Sequence, residues 1–125
     1  MGKKFLIDTN VIIDFSGNKF HRTAKLFVAK TIDNNPYFSV INKIELLSFS
    51  VVKKEIIELI ESSTEVNLSE EIISKTISIR KTHNIKLPDA IIASTAIIYG
   101  LELITRNISD FKNIEGLMLI NPWEK

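Results

Sequence analysis

The sequence predicts an α/β protein with three layers, an α/β/α sandwich around a central parallel sheet. Short apolar segments that are typical of buried strands alternate along the chain with longer segments that carry helical signals. A chain of 125 residues, 45% hydrophobic and 25% charged, is of ordinary single-domain size and can bury a substantial core. We therefore expect one domain that spans residues 1–125.

The first half of the chain is expected to hold two strands and three helical segments. Three consecutive apolar residues before Asp8 predict a short buried strand over 4–8. The predicted order continues with a short helix over 10–15, a loop at 16–18, a helix over about 20–33, a strand over 36–40 and a helical region over about 42–62.

The second half continues the alternation of strands and helices. The stretch 64–68 is a short strand or a connector, and Ser69 with two following acids is a helix start, so a helix is predicted to about His83. The segment after Pro88 is apolar on all faces, which predicts a buried helix. Strands over 101–104 and 117–120, joined by a polar acidic loop, complete the sheet.

Several classes of protein are disfavoured by composition. Without cysteine, the chain can form neither a disulfide framework nor a zinc-thiolate site. No signal peptide is recognisable at the N-terminus, and no apolar run approaches the ~20 residues of a membrane span. We therefore expect a soluble, cytoplasmic protein that does not bind membranes.

Four acidic residues are predicted to meet at one edge of the sheet. Asp8 and Asp110 follow strands, Glu45 lies soon after the strand over 36–40, and Asp89 begins the helix that leads to the strand over 101–104. In a parallel sheet flanked by helices, these positions share the carboxyl edge, where ligands of such sheets bind.

Four clustered carboxylates favour a site for a divalent cation. Like charges a few ångströms apart raise one another's pKa, and a cation removes the conflict. Mg²⁺ prefers oxygen ligands, retains waters and commonly binds substrate phosphates, which is typical of phosphodiester hydrolysis. The two histidines, His21 and His83, are far apart, so a histidine-dominated mechanism is less favoured.

Each acid also has an ordinary structural explanation. Asp8 is placed to cap the following helix, Asp89 to complement a helix dipole, and Asp110 lies in a loop where polar residues are common. Glu45 is expected among Ile41, Leu46 and Phe49, where a carboxylate is costly without a partner, such as a lysine in a salt bridge.

The charge balance is compatible with a polyanionic partner. With the four acids set aside, 16 basic and 11 acidic side chains remain, a net charge of +5. Solvated helix faces also carry such lysines, so this signal is weak. The basic residues that could surround the site are Lys19, Arg22, Lys25, Arg80, Lys81, Lys86 and Arg106.

Four motifs in order carry a family resemblance over nearly the whole chain. Residues 6–10, 39–46, 87–93 and 103–111 resemble the successive motifs of a PIN domain, most closely the VapC-like toxins of type II toxin-antitoxin systems. The resemblance implies a Mg²⁺- or Mn²⁺-dependent endoribonuclease that cleaves RNA. It also implies a homodimer and a small antitoxin whose C-terminal segment enters the active-site groove.

The resemblance also assigns site residues. Asp8, Glu45 and Asp89 match its most regular acids. The fourth acid of the family lies in some relatives at the position of Asp110 and in others at the position of Asn107. We favour Asp110 as the ligand. Supporting roles fall to Thr9, Asn10, Thr105 and Asn107. Asn42 stands where relatives often carry Ser or Thr.

Three functional classes follow. The first is the metal-dependent ribonuclease toxin. The second is another metal-dependent phosphohydrolase, such as a haloacid dehalogenase-like phosphatase, which is disfavoured because Asn10 stands where a second Asp is expected. The third is a catalytically silent PIN-like module that binds RNA or an antitoxin. A homodimer would bury helix faces near 20–28 or within 41–60.

Overall fold

Five short strands form one parallel sheet in the computed structural model, which describes residues 3–125. The strands are β1 (Phe5–Ile7), β2 (Tyr37–Ser39), β3 (Thr64–Val66), β4 (Glu102–Ile104) and β5 (Met118–Ile120). Their order is β3-β2-β1-β4-β5, and every neighbouring pair is parallel. The chain builds outward from β1 on one side and then on the other, which places the topological switch point between β1 and β4.

Helices cover both faces of this sheet. They are α1 (Thr9–Ser16), α2 (Arg22–Asp33), α3 (Val40–Leu47), α4 (Lys54–Ser62), α5 (Glu70–Thr82), α6 (Leu87–Tyr99) and α7 (Ile108–Phe111), followed by the 3-10 helix η1 (Pro122–Glu124). Within residues 3–125, no helix combines the length and apolarity that crossing a membrane requires.

Adjacent strand residues face different hydrophobic cores. Leu6 and Leu103 belong to a core with residues of α5, α6 and α7, whereas Ile7 and Ile104 belong to one with residues of α1, α2 and α4. This alternation is the two-residue period of a strand that is buried on both faces. The predicted α/β/α sandwich with a central parallel sheet is confirmed.

The helical region predicted over about 42–62 is two helices. Helix α3 begins at Val40, directly after the N-cap Ser39, and ends at Leu47; α4 begins only at Lys54. The intervening residues 48–53 include serines and β-branched valines, which are weak helix formers. Val51 in this connection is 83% exposed.

Other predicted boundaries differ from the observed ones by at most two residues. The strands are shorter than predicted; the stretch 64–68 contains β3, and α1 extends over the predicted loop residue Ser16. Helix α5 starts after Ser69, whose side chain accepts from the backbone N–H of Ile72, as the sequence indicated. Helix α6 ends at Gly100, where φ is +65°, a conformation that glycine adopts without strain.

Candidate active site

The carboxyl edge of the sheet carries all four predicted acids. Asp8 follows β1 and is the N-cap of α1, while Glu45 lies in α3, directly after β2. Asp89 is in the first turn of α6, where Pro88 occupies the second position. Asp110 lies in the short helix α7 rather than in the loop that was predicted there.

Asp8 receives hydrogen bonds from four donors. Its Oδ1 accepts from the Thr9 backbone N–H at 2.9 Å and from Asn42 Nδ2 at 3.3 Å. Its Oδ2 accepts from Thr105 Oγ1 at 2.8 Å and from Asn10 Nδ2 at 3.1 Å. With only 5% of its surface exposed, Asp8 is the fixed centre of the site. It caps α1 as well, so the ordinary explanation is confirmed, and a functional role of the same residue stays a prediction.

Burial and hydrogen bonding oppose each other at Asp8. Burial raises the pKa of its carboxyl group, and the hydrogen bonds from Thr105, Thr9 and Asn42 lower it, while the charge of Glu45 raises it. The balance leaves the pKa above its ordinary value. The donors thus offset part of the cost of a buried charge.

Asn42 connects three segments of the site. Its side chain accepts from the Ser39 backbone N–H at 3.0 Å, which completes a capping box at the start of α3. Its Nδ2 donates to Asp8 and, at 3.1 Å, to Thr9 Oγ1. The Thr9 hydroxyl in turn donates to Glu45 Oε1 at 2.7 Å.

Glu45 is exposed, which corrects the prediction of an apolar environment with a desolvation cost. Leu46 is buried, but Ile41 is only partly buried and Phe49 is half-exposed. The reason is that α3 ends at Leu47, so Phe49 is not one helical turn beyond Glu45. The contact that orients Glu45 is the hydroxyl of Thr9.

Asp89 experiences the charge of the other three acids. Burial and the charges of Asp8, Asp110 and Glu45, in that order, raise the pKa of its carboxyl group to about 6, and Lys86 lowers it slightly. Asp8, Asp110 and Glu45 therefore all lie within electrostatic reach of Asp89.

A cavity of 260 Å³ opens beside Asp89 and Asp110. Its walls also include the ammonium-bearing Lys86 and the polar residues Asn84 and Ser109, with Ile85 as an apolar contact. Of the basic residues considered from the sequence, Lys86 is in this wall, whereas Arg106 is paired with Asp14 at 2.8 Å and Lys25 donates to Asn18. A larger, mostly apolar cavity of 490 Å³ lies elsewhere, between α1 and α4.

The predicted supporting residues hold the loop after β4 against Asp8. Thr105 Oγ1 accepts from Asn10 Nδ2 at 3.2 Å and from the Asn107 backbone N–H at 3.1 Å. Asn10 Oδ1 accepts from the Arg106 backbone N–H at 3.0 Å. Asn107 is the N-cap of α7 but forms no side-chain cap, so its observed contribution is its backbone N–H.

The sequence profile of the PIN domain family matches residues 5–117. The chain belongs to the PIN domain family. The matched range contains all four acids, so the family prediction from the four motifs is confirmed.

Solved structures similar to this PIN domain come from toxin-antitoxin complexes. A chain of a toxin-antitoxin complex from Klebsiella pneumoniae is 29% identical, with a TM-score of 0.75 and coverage of 95% of this chain and 98% of that chain. A chain of VapBC2 from Rickettsia felis, bound to a promoter DNA fragment, is 25% identical, with a TM-score of 0.73 and coverage of 94% and 97%. VapBC-1 from nontypeable Haemophilus influenzae, at 23% identity, a TM-score of 0.73 and coverage of 97% and 98%, shows the shared fold. No curated protein matches the chain in sequence.

The donor set of this PIN domain fits a hydrated divalent cation. Across residues 3–125, no three His, Cys, Asp or Glu side chains converge tightly enough to enclose a metal ion by themselves. Mg²⁺ does not require such a cage, since it retains several waters and commonly uses one or two carboxylates. The charge that accumulates around Asp89 is the condition that a cation would relieve. Direct coordination by all four acids stays a prediction.

Sequence reasoning missed Asp14 as part of this PIN domain's network. Asp14 is 7% exposed and accepts from Arg106 and from the indole N–H of Trp123. An acid between Ile13 and Phe15 in an apolar helix was the available signal, of the same kind that identified Asp8.

Proposed function

We propose that this PIN domain is a Mg²⁺- or Mn²⁺-dependent endoribonuclease and the toxin of a toxin-antitoxin pair. The observation that carries the proposal is the raised pKa of Asp89. This carboxyl group is half-buried, and burial together with three neighbouring acids raises its pKa to about 6. In a structural salt bridge the opposite charge would dominate, whereas the influence of Lys86 on Asp89 is smaller than that of each of the three acids. Accumulated like charges at the carboxyl edge of a parallel sheet instead favour a cation and its phosphate ligand.

In such a site, the acidic residues would bind the ion, and their hydrogen-bond partners would orient them. When bound, a divalent ion supplies polarisation of the phosphodiester and a water of lowered pKa. Asp8, fixed by four donors, would hold the ion or its waters, and Asp89 and Asp110, which line the neighbouring cavity, would contribute further carboxylate oxygens. Glu45, which is exposed and accepts a hydrogen bond from Thr9, would accept a proton from an attacking water.

Lys86 would bind the RNA backbone next to the acids. It lines the cavity shared by Asp89 and Asp110, and phosphates are the anions that such a lysine binds. Asn84 and Ser109 in the same wall can donate hydrogen bonds to phosphate or sugar oxygens. These groups fit a phosphate backbone, and RNA, which the family resemblance implies, is the proposed substrate that would bind in this cavity.

Two protein partners belong to the proposal. The likeness to chains from complexes titled as toxin-antitoxin and VapBC, at 29% and 25% identity, supports a cognate antitoxin. A homodimer is supported by exposed apolar side chains in 41–60, among them Ile44, Leu47, Phe49, Val51 and Ile57. The alternative face at 20–28 exposes Leu26.

The decisive experiment is RNA cleavage with controlled metal. We expect the purified protein to cleave RNA with Mg²⁺ or Mn²⁺ and to stop when chelator is in excess. D89N should lower the rate by at least about 100-fold, because the group acts at the reacting centre. E70Q is the matched control, since Glu70 is also an acid in the first turn of a helix.

The outcomes separate the three functional classes. Cleavage at an unchanged rate in excess chelator would refute the metal mechanism. Tight RNA or antitoxin binding without cleavage at any metal concentration would support the silent module. Hydrolysis of a phosphomonoester such as p-nitrophenyl phosphate, without RNA cleavage, would support the phosphatase.

A further inference from the structure

Asp14 is a buried acid away from the four carboxylates, and it has two charged or polar partners. Its Oδ2 accepts from Arg106 Nη1 at 2.8 Å and from Trp123 Nε1 at 3.2 Å. The carboxylate side chain is 10% exposed and the arginine side chain 50% exposed. A buried carboxylate is costly unless it is paired, so Asp14 requires these donors in place.

Helix α1 holds Arg106 at both its main chain and its side chain. Asn10 and Asp14 are four residues apart on α1 and therefore lie on the same face, one turn apart. Asn10 Oδ1 accepts from the Arg106 backbone N–H, and Asp14 accepts from its guanidinium group. Arg106 is thereby fixed along its whole length.

The residues on either side of Arg106 belong to the active site. Thr105 Oγ1 donates to Asp8 Oδ2, and the Asn107 backbone N–H donates to Thr105 Oγ1. Asn107 in turn begins α7, which carries Asp110. A movement of Arg106 would therefore displace a donor to Asp8 and the helix that presents Asp110.

The C-terminal 3-10 helix supports Asp14 from behind. The ring of Trp123 packs against the ring of Phe20, with centroids 4.6 Å apart. The backbone carbonyl oxygen of Trp123 lies 3.2 Å from His21 Nε2. The indole N–H is therefore held where it can donate to Asp14. Asp14 therefore lies between two hydrogen-bond donors, one from η1 and one from the loop after β4.

We propose that Asp14 is a positioning residue of the active site, which acts through Arg106 to hold residues 105–110 in register with Asp8. The proposal rests on the proposed function for its kinetic consequence, but its structural consequence is independent of activity. Outer residues that orient metal-binding carboxylates typically contribute 10- to 100-fold to affinity or activity.

Hydrogen exchange measures the positioning without any catalysis. D14N removes the charge and retains the shape of the side chain. We expect the backbone amides of Arg106 and Asn107, which donate to Asn10 and Thr105, to exchange at least about tenfold faster in D14N than in wild type. E102Q is the matched control, because Glu102 is 13% exposed, pairs with Lys3 at 3.7 Å and lies at the opposite end of β4.

Kinetics separate positioning from a direct role of Arg106 in RNA binding. We expect D14N and R106Q each to lower kcat about 10- to 100-fold with little change in KM, and the double variant to be no worse than either single variant. If Arg106 binds RNA directly, R106Q should raise KM and D14N should not. Additive losses in the double variant would likewise overturn the proposal.

The two proposals fail in distinguishable ways. An inactive wild type with faster exchange in D14N would refute the nuclease and leave the positioning role standing. An active wild type with normal exchange and normal kcat in D14N would refute the positioning role alone. Should D14N fold poorly, R106Q probes the same link from its half-exposed side and gives the same exchange readout.

Discussion

Removing one charge from the acidic cluster should stabilise the metal-free protein, although it removes a proposed catalytic group. The pKa of Asp89 is raised to about 6 by burial and by Asp8, Asp110 and Glu45. Because the folded state holds this proton more tightly than the unfolded state, its stability falls as the pH rises from about 4 to about 6. At neutral pH the full penalty is present, and D89N, which is neutral, does not incur it.

The size of the gain follows from the pKa. A change from 3.8 to about 6 corresponds to roughly 3 kcal/mol if solvent is ignored. Asp89 is partly exposed, so screening reduces this to about 1–2 kcal/mol. D89N also loses the favourable interaction of an acid with the N-terminus of α6, which is worth about 0.3–1 kcal/mol. The net gain is therefore about 0–1.7 kcal/mol, with a midpoint near 1 kcal/mol, which corresponds to a Tm higher by roughly 3–5 °C.

Thermal melts in chelator and in millimolar Mg²⁺ measure this balance. Mg²⁺ should stabilise wild type, by about 1.4 kcal/mol when its concentration is about ten times the Kd, and should stabilise D89N much less. The advantage of D89N in chelator should shrink as the pH falls from about 6 to about 4 and should disappear well below the unfolded pKa of 3.8, where the carboxyl group is protonated in both states. E70Q should lose a few tenths of a kcal/mol and respond to Mg²⁺ as wild type does.

A lower stability of D89N than of wild type in chelator, with no stabilisation of wild type by Mg²⁺, would refute the reasoning. If the acids were separate caps and ion pairs, D89N would be destabilised by up to about 1 kcal/mol in chelator, because only the helix-dipole interaction would be lost. Mg²⁺ would then leave the Tm of both proteins unchanged. A destabilised D89N together with a wild type that does not respond to Mg²⁺ would end the four-carboxylate hypothesis.

Three further predictions test the network and the assembly. D8N should lower RNA cleavage by at least about 100-fold with an unchanged circular dichroism spectrum. N42A should lower the free energy of unfolding by about 1–3 kcal/mol in urea melts, because it leaves the Ser39 N–H without its acceptor. N42S should retain more RNA cleavage activity than N42A, and equal losses of activity in the two variants would contradict this. In sedimentation velocity, V51D should shift a dimer toward monomer whereas L26D should not; the reverse result would place the interface at 20–28, and a monomeric wild type would refute the dimer.

The fold was predictable because its signals are local. Runs of apolar residues two to four long set β1 and β4, and the alternation of Leu6 with Ile7 between the two cores follows from the strand period. Ser69 marked the start of α5 through its own side chain. The break between α3 and α4 was missed because residues 48–53 contain neither Gly nor Pro, and weak helix propensity alone sets no boundary.

The placement of the acids was predictable and their environments were not. The carboxyl edge follows from topology, since each acid lies just after a strand or at the start of a helix. Whether Glu45 is buried depends instead on where α3 ends, which tertiary packing determines. Asn42 and Asp14 were missed as network members because their partners lie 34 and 92 residues away in the chain, and spacing along a helix cannot reveal such contacts.

The hydrogen bonds imply an order of rigidity within the site. Asp8 has four donors, as many as a carboxylate has lone-pair positions, so the positions of its two oxygens are set by the protein itself. The longest of the four contacts, 3.3 Å from Asn42, is the weakest. For Asp89, by contrast, burial and charge set the pKa without any hydrogen bond to lower it. Asp8 therefore defines the position of the site, and Asp89 holds the charge that a cation would neutralise.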